Sequence, residues 1–542
     1  MSKALRTGLI VALFAATGTG MLALYNNQKG LVESQVRLIG ALEQARENVH
    51  KKEVQIVERV VAQQPWAGVQ REIKDTVVRI ISQTAEVNLL QPYKTPKQGG
   101  GFGTGFFISE DGYIITNHHV IDETIAIWIK IPSLGKAIID VELVGTSPER
   151  DLALLRVKPE GLAYIKEQLG HIPYLTLGDS DLVNRSDEVL VLGYPLGGSQ
   201  TAIKSTSGVV SGREHIGGRH LIQISAAINP GSSGGPSLNL DGHVIGISCA
   251  GILEAQNVGY IIPVNELKLI LDDLRKTGVI RRPFLGVLFN NGSSELTEYL
   301  NNPLPGGCYV VNVYSGSPLS KAGVQPGDMI YEINGHSIDY YGDLTVPWSE
   351  DKVSFIDYVA RLEIGQTVTV MLYRKGIRKE FKFKFDFSEL LPVHIIFPGY
   401  DAIEYEMFGG MLLQPLCLNH LPALIHNSPS LAKYKDFESQ TKPALIVTHV
   451  VPNSQVQRLE MLREGAILTE MNGKEITTLS ALRTELKASV NKDFITFKTS
   501  EGVFFVLSPA KVFKDEERLS EIYHYTLSPF MKELLALHNQ KE

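Results

Sequence analysis

The chain has 542 residues, 44% of them apolar and 20% charged, with a formal net charge of −7. That length predicts three or four folded units. The ordinary composition argues against a disordered scaffold, and an acidic balance without a long basic run argues against a nucleic-acid partner. Cys249, Cys308 and Cys417 stand far apart in the sequence, so no structural disulfide is expected. Without a Cys pair or an H-x-x-x-H spacing, no metal site is expected either, and no other cofactor.

At the N-terminus, Lys3 and Arg6 precede the uncharged run GLIVALFAATGTGMLAL, Gly8 to Leu24. The run is at the lower limit of a bilayer span and slightly longer than a signal-peptide core. Residues 1–30 are therefore expected to be a signal peptide or membrane anchor. Small residues near Gly18 or Gly20 suit cleavage, whereas continuation through Met21, Leu22 and Leu24 favours an anchor. The basic flank puts the body of the protein outside the cytoplasm, in the cell envelope. Residues 31–69 carry Leu38, Leu42, Ala45, Val49 and Ile56 at roughly heptad spacing among charges. They read as an amphipathic helical linker, too short and imperfect for a coiled coil.

From about Thr76 to Pro263 the chain is a series of short apolar runs rich in Val, Ile and Tyr, such as GFFIS, YIIT, IAIWIKI, LALLRV, EVLVLGYP and HVIGISC, broken by Gly, Asp, Asn and Pro. Such spacing predicts an all-β barrel or sandwich, closed by a helix over Asn265 to Thr277. Two later stretches, Val310 to Ile338 and Ile446 to Ile476, can be laid over each other. Each has an apolar strand, a loop, a short helix, another strand and an Asn-Gly hairpin, at Asn334-Gly335 or Asn472-Gly473. The likeness predicts a duplicated small α+β module.

Three motifs bear on chemistry: YIITNHHVI after a turn at Glu110 to Gly112, RDLALLRV at Arg150 to Val157, and NPGSSGGPS at Asn229 to Ser237. A serine hydroxyl is a poor nucleophile until a base takes its proton, and the base needs a third group to hold its tautomer. The chain offers His, then Asp, then Ser on short β segments, the order used by chymotrypsin-type barrels. Glycines around Ser233 permit a tight turn that exposes its hydroxyl, and the backbone N–H groups of Gly231 and Ser233 are candidate donors to an oxyanion.

TNHHV, DLALL and GSSGGP resemble the histidine, aspartate and nucleophile motifs of the HtrA/Deg serine proteases, and the similarity covers most of the chain from about residue 70. The resemblance selects Ser233 over Ser232 by G-x-S-G-G, His119 over His118 by T-x-x-H, and Asp151 as the start of DLALL. It implies a mainly β fold: a chymotrypsin-like double β-barrel protease domain at 70–278, then two α+β PDZ-like domains at 281–388 and 392–510, and a C-terminal helical extension at 511–542. In RRPFLGV, Leu285, Gly286 and Val287 match a carboxylate-binding loop, whose N–H groups receive a peptide C-terminus while the peptide adds as a strand. FGGMLL, Phe408 to Leu413, stands at the corresponding place in the second copy, where EGA at Glu464 to Ala466 replaces PGD at Pro326 to Asp328. Weakened peptide binding, or a role in assembly, is expected there.

The family often has Asn where Ser232 stands and Asp where Ser225 stands. Ala226-Ala227-Ile228, just before the nucleophile loop, supplies no carboxylate, so a basic residue before the cut is not expected, and small to medium apolar side chains are. The implied activity is that of a serine endopeptidase acting on unfolded, misfolded or regulatory proteins, assembled as a homo-oligomer, a trimer or a multiple of one. The rival is a non-proteolytic chaperone or PDZ scaffold with a misaligned triad.

Overall fold

The computed structural model describes residues 3–63, 66–195, 202–249, 258–282, 285–386 and 390–540. Two compact units are separable, Met1–Glu72 and Ile73–Glu542. The first is built on a continuous 61-residue helix, Lys3–Gln63. No helix among the described residues is long and apolar enough to cross a membrane. The anchor expected within residues 1–30 gains no support from this.

The second unit opens with two closed six-stranded barrels. The first comprises β1 (Val77–Glu86), β2 (Lys97–Phe107), β3 (Tyr113–Thr116), β4 (Thr124–Lys130), β5 (Ile139–Ser147) and β6 (Leu152–Val157), in the order β1-β2-β3-β6-β5-β4. Its interior is filled by β-branched and aromatic side chains, among them Ile80, Phe107, Ile114, Ile129 and Val157. The second comprises β7 (Glu188–Gly193), β8 (Lys204–Ile216), β9 (Arg219–Ile224), β10 (Pro236–Leu238), β11 (Val244–Cys249) and β12 (Gly259–Pro263), in the order β10-β11-β12-β9-β8-β7. Closure leaves neither barrel an open edge, which suits runs this short. The helix expected after β12 is Val264–Leu274, its buried face formed by Val264, Leu267, Ile270 and Leu274.

Two sheets of one design follow. In the first, Val287–Asn291 pairs with Cys308–Val313, then Met329–Ile333, Thr367–Arg374 and Ile377–Lys384. In the second, Met411–Pro415 pairs with Leu445–Val450, then Ile467–Met471, Ile495–Thr499 and Phe504–Leu507. Asn334 and Asn472 both take φ near +50°, as the Asn-Gly turns require. The second sheet carries an extra edge strand, Glu406–Phe408, paired to Met411–Pro415. Helices Pro509–Tyr523 and Pro529–Asn539 complete its core through Val512, Phe513, Met531 and Leu534.

Candidate active site

The histidine motif falls where β3 ends and a one-turn helix, His118–Ile121, begins. That transition sends the adjacent rings to different neighbours. His118 is buried, its Nδ1 2.9 Å from Thr146 Oγ1 and its Nε2 3.3 Å from Asp122. His119 is 46% exposed at its side chain, and its Nδ1 lies 3.0 Å from both carboxylate oxygens of Asp151. The backbone N–H of His119 also donates to Asp151 Oδ1 at 3.0 Å. A carboxylate on Nδ1 holds the proton there and leaves Nε2 as the acceptor nitrogen.

Asp151 reaches this position because it leaves the 3-10 turn Pro148–Arg150 in the left-handed conformation, φ 58° and ψ 43°, which an Asp tolerates better than most residues. Asn117 Nδ2 donates to its carbonyl at 2.9 Å. Burial raises the pKa of the Asp151 carboxyl, but the hydrogen bonds and charge of His119, with the charge of Arg219, outweigh that and hold it below the ordinary value. Arg219, the first residue of β9, places Nη1 3.2 Å from Asp151 Oδ2. No sequence motif singled it out.

The serine loop lies between the barrels. Ser232 N–H donates to Asn229 O at 2.9 Å, and Gly235 N–H to Ser232 O at 3.0 Å. Thr104 N–H donates to Ser233 O at 2.9 Å, and Thr104 Oγ1 to Gly231 O at 2.7 Å. Among the described residues the N–H groups of Gly231 and Ser233 have no acceptor, which leaves both available to a ligand. Gly234 has φ 84°, and a Cβ on it would overlap Thr104 O and Thr116 Oγ1. This glycine lets the loop lie directly against the strand end that leads into His119.

Ser233 is 4% exposed as a whole residue, yet its Oγ is not among the buried, unpartnered polar atoms. Gly234 and Gly235 hold the loop close against Thr104 of the first barrel. No hydrogen bond joins Ser233 to His119 among the described residues, the looser arrangement common in ligand-free sites. Ser232 is buried against Gly193. Ser225 Oγ accepts from Val209 N–H at 2.9 Å. Ala226 is buried and Ile228 packs against the same apolar cluster, so neither offers a charge to a substrate side chain.

Leu285, Gly286 and Val287 form a tight loop ahead of the first sheet, with Gly286 at φ 76° and its carbonyl accepting from Tyr314 N–H at 2.8 Å. Pro283 and Phe284 of RRPFLGV lie outside the described residues. The loop opens on an apolar cavity of about 750 Å³, whose walls include Phe289, Phe355, Ile356 and Val359. Gly217 and Gly218, the turn leading into Arg219, line it from the barrel side, as does Glu149. Arg282 joins those two places: its N–H donates to the Glu149 carboxylate and its guanidinium to Gly218 O. Arg150, next to Asp151, donates to Ala360 O at 3.0 Å at the end of the cavity's helix.

Residues 103–247 match a family model described as a trypsin-like peptidase domain, and residues 283–385 match a PDZ domain. Relatives include a probable periplasmic serine endoprotease DegP-like of Marinomonas sp. (strain MWYL1), 30% identical over 394 residues, which span 71% of this chain and 74% of that one. A protein of the same name from Pseudomonas fulva (strain 12-X) is 31% identical over 452 residues, 77% and 84% of the two chains. One from Chlamydia pneumoniae is 30% identical over 417 residues, 75% and 76%. Among solved structures, the HtrA-type protease AlgW with decapeptide aligns at 25% identity and a TM-score of 0.46, over 60% of this chain and 99% of that one.

Proposed function

The chain belongs to the HtrA/Deg family of serine proteases and is a serine endopeptidase with a PDZ domain, and on that premise we propose that Ser233, His119 and Asp151 carry the reaction. Ser233 Oγ adds to the scissile carbonyl as its proton passes to His119 Nε2, and Asp151 steadies the imidazolium that forms. The N–H groups of Gly231 and Ser233 receive the oxyanion, a contribution of about 10² to 10³ in rate per donor. Collapse of the tetrahedral intermediate expels the amine with the proton from His119. Water then repeats the sequence on the acyl-enzyme and releases the acid.

The observation that carries this reading is the pair of 3.0 Å contacts from His119 Nδ1 to Asp151, beside a serine loop pressed onto the same strand end. Cleavage of an unfolded, carboxymethylated model protein tests it. Ser233→Ala and His119→Ala are expected to be inactive and Ser232→Ala to keep substantial activity; equal loss in well-folded Ser232→Ala and Ser233→Ala would sink the assignment. The missing hydrogen bond between Ser233 and His119 favours a second reading, a non-proteolytic chaperone or scaffold, which predicts no cleavage by the unmutated chain under any condition.

The domain limits we adopt are 70–278 for the protease, 281–388 and 392–510 for two PDZ-like domains, and 511–542 for the extension. The apolar cavity behind Leu285, Gly286 and Val287 suits a peptide with a free apolar C-terminus. Its wall at Gly218 is one residue from Arg219, and Glu149 is two from Asp151, so an occupied cavity bears on the carboxylate that orients His119. A ligand shifts the active arrangement only by its differential affinity for it. Free peptides are expected to raise cleavage of an unrelated reporter and C-terminally amidated ones to raise it less. Apolar residues at Ala226 and Ile228 favour small to medium apolar side chains before the cut. The relatives' names support a periplasmic location, with misfolded or regulatory proteins as substrates; membrane attachment through residues 1–30 and assembly as a trimer or its multiple rest on family resemblance.

A further inference from the structure

The two sheets carry the same loop, and the two loops have different occupants. Gly286 and Gly410 both have positive φ, 76° and 90°, and a Cβ on either would overlap a serine side chain, Ser317 or Ser454, whose Cα stands 3.5 Å away in both. Their carbonyls accept at 2.8 Å from Tyr314 N–H and Val451 N–H. One residue earlier, Leu285 O and Gly409 O accept from Leu319 N–H and Val456 N–H at 3.4 and 3.3 Å. Leu285-Gly286-Val287 and Gly409-Gly410-Met411 are therefore one device built twice.

The first loop faces the 750 Å³ cavity. At the second, the space in front is filled by the chain itself. The edge strand Glu406–Phe408 occupies the free side of Met411–Pro415, with Phe408 opposite Met411 and Glu406 opposite Leu413. Helix Pro509–Tyr523 lies across the loop: a Cβ on Gly409 would meet Val512 at 3.4 Å, and the Phe513 ring centroid is 6.3 Å from that of Phe408. The next turn of the helix delivers Glu516, which is fully buried, with Oε1 accepting from Tyr525 Oη at 2.8 Å. The backbone N–H of Gly409 approaches the same carboxyl without closing a hydrogen bond, and Glu516 Oε2 is buried with no partner among the described residues. The helix thus brings a buried carboxyl, with an apolar neighbour four residues before it, to the side of this loop, the two kinds of group that a peptide C-terminus presents.

We propose that the loop Gly409–Met411 is filled from within the chain, helix Pro509–Tyr523 acting as its built-in ligand and the Glu516 carboxyl taking the place of a peptide's terminal carboxylate. The edge strand takes the place of the peptide's backbone. External peptides are thereby confined to the loop Leu285–Val287, and the second module is a structural clasp. The inference rests on reading Leu285–Val287 as a carboxylate-binding loop.

Amide hydrogen exchange on the full chain tests it. In Phe513→Ala and in Glu516→Ala, exchange at Gly409, Gly410 and Met411 is expected to quicken by about tenfold or more while the strands Ile495–Thr499 and Phe504–Leu507 stay protected. Unchanged exchange at the loop, with the variants folded, would overturn the proposal. If either substitution unfolds the domain, calorimetric titration of the unmutated chain decides, using a peptide with a free apolar C-terminus. One site per chain, abolished by Ile356→Glu in the wall of the first cavity, is expected; a second site, or binding that survives Ile356→Glu, would overturn it. Absence of all peptide binding would remove the peptide-receptor reading of the first loop, and the exchange result would still decide what fills the second.

Discussion

Arg219 Nη1 lies 3.2 Å from Asp151 Oδ2, the oxygen that His119 Nδ1 approaches to 3.0 Å. A guanidinium and an imidazole thus share one carboxylate oxygen, and the guanidinium arrives from the hairpin that also walls the apolar cavity. Arg219→Gln keeps a donor there and removes the charge. The ionised Asp151 contributes stability above its unfolded value near 3.8, and that contribution is lost as pH falls through the lower folded value. Without Arg219 the folded value rises, so acid unfolding followed by circular dichroism is expected to begin at a higher pH. An unchanged acid midpoint would show that the pair is too well solvated to matter.

His118→Ala separates the two histidines. It removes hydrogen bonds to Thr146 and Asp122 from a buried position, and a loss of about 1–3 kcal/mol in denaturant unfolding is expected. Cleavage by the folded protein should stay close to that of the unmutated chain. Loss of activity without loss of stability would give His118 a part in the chemistry.

Gly234→Ala is expected to be soluble but about 100-fold or more slower in peptide cleavage, the scale of effect when reacting groups are displaced by about 1 Å. The added methyl overlaps Thr104 O and Thr116 Oγ1, so the loop must back away from the strand that leads to His119. Normal turnover in this variant would mean that the contact does not set the distance between Ser233 and His119.

Burial pushes the Glu516 carboxyl up to about 7, against the hydrogen bond from Tyr525 and the nearby N–H of Gly409 that pull it down. Folded protein therefore holds a proton that the unfolded chain releases near 4.5, and stability must fall as pH rises from about 4.5 to about 7, by roughly 3 kcal/mol in all. Glu516→Gln removes this slope, and its thermal midpoint should exceed that of the unmutated chain at pH 8 while the two converge near pH 4. Parallel midpoint curves for the two proteins would mean Glu516 stays ionised in the fold.

His119, Asp151 and the serine loop were legible because each sits in a short run of neighbours whose spacing is itself the signal. The paired modules were legible too, through Asn334-Gly335 and Asn472-Gly473, since a two-residue turn constrains its own sequence. Arg219 was not legible: it follows a Gly-Gly turn, and its partner lies 68 residues earlier. Glu516 gave no local sign of burial, because it stands in a charged helical stretch, KDEER, and its environment is made by Tyr525 and a loop of the preceding sheet.

The segment between β1 and β2 also reaches residues near the far end of the chain. Gln414 Nε2 donates to Leu89 O at 2.9 Å, Gln91 Nε2 lies 3.2 Å from His449 Nδ1, and the ring of Tyr93 stands edge-on to Tyr525 at 5.8 Å. Gln91 and His449 are 358 residues apart. At translation speeds of about 5–20 residues per second, this loop of the first barrel waits roughly 20–70 s on the ribosome before its partners exist. The barrels can close long before that, since every strand they need has already emerged. A newly made chain therefore passes through a stage in which the catalytic barrels are complete and the clasp on their first loop is not, and a chain cut short after the first PDZ module remains in that stage.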